Sequence, residues 1–378
     1  MAMADTMQRI RELTGTIEND IVRAWKGRGG KVYGYACVAT PPEVIEAAGV
    51  LPYRIRALGN PDTDMADSHL SRFNCSFCHS CLQLRLDGTY DFLDGIIETN
   101  GCDHLRGMFE NWQYVKPSPY FHYLKVPHLT DEGAIEYFVE EVALFRESLC
   151  KAAGREISED DLRGAIENQE KIRAGLREVY ESRKGPEPAF TGEEALALVL
   201  LSSAVSPRDF LELCAAAIDE RKARGVGDYV ARLMLIGAAT DEPLLVREME
   251  SLGGLVVTDA LCYGSRAFWS PIDKDADPVR AIAGMYLEQL LCPRMFEDFP
   301  RRLDYVMNVL EEWDADGVVA IHNKFCDIHG VDNVQMRLAL EKAGVPVLIL
   351  EKEYGSAADA GRIRTRVQAF LERIGSRR

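Results

Sequence analysis

From Ala231 onward the sequence alternates between apolar runs and amphipathic stretches, and that alternation allows few folds. ARLMLIGAAT is a buried-strand run ending in small residues, PLLVREMESLGG spaces its apolar residues as a helix does, and GLVVTDALC is strand-like again. LDYVMNVLEEWDADGVVAIHNKFCD and QMRLALEKAGVPVLILEKEYG each repeat helix and then strand, and IRTRVQAFLERIG closes the chain as a helix. The N-terminal part follows the same rhythm. KVYGYACVA reads as a strand, and TPPEVIEAAGV as a short helix opened by a Thr and two prolines and closed by Gly49. FLDGIIETN is the next strand and KVPHL a further one, while residues 131–224 are almost wholly helical in pattern. Strands joined through helices pair in parallel and need both sheet faces covered. The predicted class is therefore α/β, with two Rossmann-like (flavodoxin-like) parallel-sheet domains. The expected boundaries are an N-terminal α/β domain over 1–130, a helical segment attached to it over 131–228, and a C-terminal α/β domain over 229–378.

In such sheets ligands lie outside the carboxyl ends of the strands. Cys102 follows GIIETN, Cys262 follows LVVTDAL and Cys326 follows VVAIHNKF. Core cysteines have no reason to prefer strand ends, so this placement predicts that the thiols converge on one site between the domains. A further group, Cys75, Cys78 and Cys81, lies in CSFCHSC. Cys150 and Cys214 sit among Leu and Ala in helical patterns and read as small buried apolar residues.

The formal net charge of -16 is opposite to the basic footprint of a nucleic-acid binder. The N-terminal MAMADTMQRIRELTGTIEND lacks the apolar core of a signal peptide, and no apolar run has the length of a membrane span. A cytoplasmic protein is expected, where ten cysteines favour metal or redox chemistry over disulfides.

Zinc held by cysteine alone usually takes two close pairs of thiolates. Here one close group stands with single, distant partners. C-x2-C-x2-C resembles bacterial ferredoxin spacing but continues Leu82-Gln83-Leu84 in place of x3-Cys-Pro. Spacing alone leaves an iron–sulfur cluster, zinc or no metal open. A cluster with three protein thiolates keeps one iron accessible to substrate.

TPPEVIEAAGVLPYRI, CSFCHSCL, GTYDFLDGIIETNGCDHLRGMFENW, LVVTDALCYGSRAFW, DGVVAIHNKFCD and GRIRTRVQAFLE, in that order along nearly the whole chain, resemble the 2-hydroxyacyl-CoA dehydratase and ATP-dependent benzoyl-CoA reductase family. The resemblance implies a [4Fe-4S] cluster in the cleft between two α/β domains, held by Cys75, Cys102 (with Asp103) and Cys326 (with Asp327). Cys78 and Cys81 depart from the family pattern, which leaves Cys78 a secondary ligand. The resemblance also implies a homodimeric ATP-dependent iron–sulfur activator protein that injects one electron, and an acyl-CoA substrate that becomes a ketyl radical. A paralogous subunit or a second copy completes the enzyme. No P-loop GxxxxGK[ST] occurs in the chain, in keeping with ATP being used elsewhere.

His104 and Arg106, just past Cys102, are candidates to orient a carbonyl or supply protons; the plainer alternative is a helix start facing solvent. Tyr263, Ser265 and Arg266 are candidates for the CoA or substrate pocket, or for ordinary loop positioning. Glu43 either faces the cleft as a catalytic group or caps its own helix. Two rival readings remain. A double-cubane [8Fe-9S] reductase of small molecules would need about six thiolates; Cys37, Cys75, Cys78, Cys81, Cys102, Cys262, Cys292 and Cys326 supply them. The other rival is a non-catalytic accessory or zinc-stabilised subunit.

Overall fold

The computed structural model describes residues 5–288, 290–355 and 359–376. The first part runs α1 (Thr6–Thr14), α2 (Asp20–Gly27), β1 (Val32–Tyr35), α3 (Pro42–Ala47), β2 (Leu51–Arg54), α4 (Asp64–Asp67), α5 (Ser76–Leu86), β3 (Gly95–Thr99), α6 (Asp103–Val115) and β4 (Tyr120–Leu124). Four helices follow: α7 (Glu132–Ala153), α8 (Glu159–Glu181), α9 (Gly192–Ser202) and α10 (Pro207–Arg221). The last part runs β5 (Ala231–Gly237), α11 (Pro243–Ser251), β6 (Gly254–Ala260), α12 (Pro278–Glu288), α13 (Phe299–Glu312), β7 (Gly317–Asn323), α14 (Asp327–Lys342), β8 (Val347–Lys352) and α15 (Asp359–Gly375).

The protein is α/β, as expected, with two four-stranded sheets ordered β2-β1-β3-β4 and β6-β5-β7-β8, every pairing parallel. Both sheets thus share one topology, with a Cys-Asp pair following the third strand of each. In each, the order places the third strand beside the first, and the connections leave to opposite sides there. That switch point, outside the strand ends, is where such sheets bind ligands. Gly237 ends β5 at φ +113, and a Cβ there would lie 2.1 Å from the carbonyl oxygen of Ile321 on β7, so only glycine lets these strands close at the switch point.

β5, β6 and most of β7 are buried on both faces, which matches their continuous apolar runs. Each such Val, Leu or Ile contributes about 1.5–3 kcal/mol through burial. The N-terminal strands are shorter. KVPHL is not a strand: the strand is Tyr120–Leu124, and Lys125–Leu129 forms the loop after it. The side chain of Asn100 occupies both backbone groups of Val126, and Pro127 has no N–H to continue a ladder. β2 escapes sequence reading because Pro52 and Arg54 interrupt its apolar pattern; Pro52 is tolerated because β2 is an edge strand.

The helical stretch 131–228 serves both sheets. α7 packs on β4 and on α12, α8 on α3 and α10, and α9 on α11 and β6. α9 is buried on every side from Gly192 to Leu201, as its almost uniformly apolar ALALVLL requires. Asp241, fully buried after β5, accepts the N–H of Ala57 at 2.7 Å and the hydroxyl of Tyr354, tying the loop after β2 to the second sheet. Among the described residues no helix is long and apolar enough to cross a membrane.

Candidate metal centre

Cys75, Cys102 and Cys326 each occupy the N-cap of a helix: α5, α6 and α14. β3 and β7, the third strands of the two sheets, deliver Cys102 and Cys326 to the two switch points. Helix N-termini carry partial positive charge, which favours thiolates and anionic groups bound by them. The Cys102 sulfur accepts the N–H of Leu105 at 3.3 Å, while the thiols of Cys75 and Cys326 lie within hydrogen-bonding reach of each other. Phe325, just before Cys326, holds a left-handed backbone at φ +65, a strained conformation for an aromatic residue, and packs edge-on against Phe73 at 5.5 Å.

The thiols influence one another strongly. The neighbouring Cys326 and Cys78 thiols hold the pKa of Cys75 well below the usual cysteine value. The same contact with Cys75, reinforced by burial, pushes Cys326 and Cys78 well above it. Burial drives Cys102 up to about 12, and the charge of Cys75 adds to the shift. The thiols therefore titrate as one coupled group. Burial raises Cys81 too, and the charges of Asp241 and Cys75 add to the shift. Asn74 Oδ1, Thr99 Oγ1 and His329 Nδ1, all close in sequence to these thiols, are buried without partners. Thiol donors, helix N-termini and unpartnered polar atoms together fit an anionic, thiolate-ligated cluster. Among the described residues no three His, Cys, Asp or Glu side chains close on a single ion.

His104 joins the three caps. Its Nδ1 accepts the backbone N–H of Cys75 at 3.2 Å and its Nε2 lies 3.2 Å from a carboxylate oxygen of Asp327, the residue after Cys326. The Cys75 thiol first, and then Asp327, raise its pKa. Arg106 points away, exposed on α6 between Asp103 and Glu110. Glu43 makes no cap bond to α3; it is fully buried against Arg173 Nη1 at 2.8 Å and the Tyr286 hydroxyl at 3.0 Å. Tyr263 donates its hydroxyl to the carbonyl of Ile55 at 2.5 Å, and Ser265 is bound to Asp259. Both are therefore committed within the fold. Arg266 differs: it gives one N–H to Leu291 O at 3.1 Å, lies within hydrogen-bonding reach of the Cys292 thiol, and its Nε and Nη2 are buried without a nitrogen or oxygen partner.

Of the other cysteines, Cys37 and Cys292 lie near Cys102. The Cys37 sulfur lies 3.2 Å from the position a Gly101 side chain would take, and Cys37 and Cys292 both act electrostatically on Cys102. Cys292 and Cys262 face Arg266. Sequence reading missed His329, whose pKa burial and then Arg266 depress to about 3. The parallel between CDHLRG and CDIHG, each a Cys-Asp followed by a His, was the available signal.

Residues 37–374 match the family model described as 2-hydroxyglutaryl-CoA dehydratase, D-component. The chain is 24% identical to the (R)-phenyllactyl-CoA dehydratase beta subunit of Clostridium sporogenes, over 98% of this chain and 100% of that one. It is 24% identical to the (R)-2-hydroxyglutaryl-CoA dehydratase subunit beta of Acidaminococcus fermentans, over 99% and 100%. With a benzoyl-CoA reductase subunit of Thauera aromatica it shares 25% identity over 86% and 87%. A match over most of the chain, on a fold that brings its strand-end cysteines to facing switch points, means that this protein belongs to the 2-hydroxyglutaryl-CoA dehydratase D-component family.

Proposed function

We propose that the chain is an iron–sulfur subunit of a cytoplasmic 2-hydroxyacyl-CoA dehydratase or benzoyl-CoA reductase type enzyme, with Cys75, Cys102 and Cys326 as cluster ligands. The observation that carries this reading is the placement of those cysteines at three helix N-caps joined through His104. A cluster held by three thiolates supplies a single low-potential electron and an iron with a position left for a non-protein ligand. The chain's own residues hold and shield. His104 fixes the Cys75 backbone and Asp327, and Phe77, packed edge-on to Tyr263 and Tyr354, helps keep water from the sulfurs. Each of these relatives is named as one subunit of its enzyme, which supports a partner subunit here. An ATP-hydrolysing iron–sulfur activator would deliver the electron, and an acyl-CoA would receive it.

A second reading has a specific observation in its favour. Cys262 and Cys292 lie near the guanidinium of Arg266, and Cys37 lies near Cys292; Arg266 has no carboxylate within ion-pair distance among the described residues. An uncompensated buried cation beside thiols suits a second anionic cluster, as in a double-cubane reductase. Iron and sulfide analysis with EPR on anaerobically purified protein tests both readings: about four irons per chain for one cubane and about eight for two. Zinc without iron would point to a scaffold subunit and overturn the proposal.

A further inference from the structure

A cavity of about 60 Å³ lies between the end of β2, α8 and the loop before α3. Three buried polar side chains line it and each keeps one group unpartnered: Arg54 Nη2, Arg173 Nη2 and Thr40 Oγ1. Their residues are 4%, 3% and 1% exposed. Every other donor of the two guanidinium groups that bonds is directed elsewhere. Arg54 gives Nε to Ala36 O at 3.0 Å and Nη1 to Cys262 O at 2.6 Å, and its guanidinium lies 3.8 Å over the Tyr263 ring. Arg173 gives Nε to Glu170 at 2.9 Å and Nη1 to Glu43 at 2.8 Å. The charge balance is uneven. Arg173 has two carboxylates, whereas among the described residues Arg54 has none within ion-pair distance.

A guanidinium cannot shed its proton in a protein, so a buried one with no counter-charge is costly until an anion meets it. The donor set is two N–H groups from different elements and one hydroxyl, enough for the two oxygens of a carboxylate. The volume is that of roughly two waters, which suits a carboxylate group. We propose that this cavity binds a carboxylate, held by Arg54 and Arg173 with Thr40 as the third partner. The carboxylate belongs either to a small free acid or to the far end of an acyl thioester. The second source rests on the function proposed above; the binding itself does not.

The test is thermal unfolding of the purified full chain at constant ionic strength, with formate replacing chloride. A saturable rise in unfolding temperature is expected for the wild type. It should vanish in Arg54→Met, and in Thr40→Val, which keeps the side-chain shape, half-saturation should need about tenfold more formate. Adding succinyl-CoA or butyryl-CoA decides the source, since the two differ in the terminal carboxylate. Suppression of the formate effect by succinyl-CoA alone assigns the site to the acyl chain; suppression by neither assigns it to a free acid. Both outcomes uphold the site. No saturable effect in the wild type, or an effect in Arg54→Met and Thr40→Val as large as that in the wild type, would mean that the cavity holds only water. This readout needs no cluster, so an iron-free preparation would overturn the proposed function without touching this site.

Discussion

His104 accepts the backbone N–H of Cys75 across 3.2 Å, so a residue on the helix that begins after Cys102 fixes the cap of the helix that begins after Cys75. His104→Ala leaves all three thiols in place but frees that cap and releases Asp327. Groups that orient metal ligands typically govern 10- to 100-fold in affinity. The variant should therefore retain its fold and lose iron to a chelator about 10- to 100-fold faster than the wild type. Anaerobic chelator kinetics followed by visible absorbance measure this, and unchanged kinetics would remove His104 from the site.

Glu43 separates a structural role from a catalytic one. Its carboxylate is fully buried against Arg173, so Glu43→Ala leaves a buried guanidinium with one of its two counter-charges removed. Breaking such a pair costs about 3–5 kcal/mol. Denaturant unfolding should show a loss of that order with iron content per folded chain unchanged.

His122 gives the fold a pH dependence. It stacks on Phe145 with centroids 4.8 Å apart, its Nε2 is buried without a partner, and burial depresses its pKa to about 4. The unfolded chain takes up this proton near the ordinary histidine value of about 6.5. Between those values the unfolded state binds more protons, so stability rises with pH, and the contribution is lost as pH falls from about 6.5 through 4. The difference in unfolding free energy between wild type and His122→Asn should shrink over that window. A difference independent of pH would show that the ring is not held neutral.

What the sequence made legible followed from periodicity and strand ends. Cys102 and Cys326 could be placed because the apolar runs GIIET and GVVAIHN have little choice but to be buried strands, and the chain must leave them at their carboxyl ends. β4 was placed a few residues late because YFHYL carries half-exposed, mixed side chains with no clean alternation of buried and exposed positions. Arg54 was overlooked because a charged residue argues against a buried strand; here its charge faces a cavity and an aromatic ring, which no local pattern encodes. Glu43 looked like a helix cap from its place in PPEV, but its partners Arg173 and Tyr286 lie far along the chain. Such pairings exist only once the fold does.

The claim that the three N-cap thiols hold one cluster is tested most directly by iron content in a matched pair of variants. Cys326 stands at the end of β7 beside Cys75, across the two halves of the protein. Cys214 lies on α10, 1% exposed and packed 3.2 Å from where a Gly175 side chain would begin. Cys214→Ser should cost about 1–2 kcal/mol by burying a hydroxyl and bind iron as the wild type does. Cys326→Ser should fold and yet hold little iron after anaerobic reconstitution. Equal iron in the two variants would contradict the assignment of Cys326, and with it the cluster proposed between the two sheets.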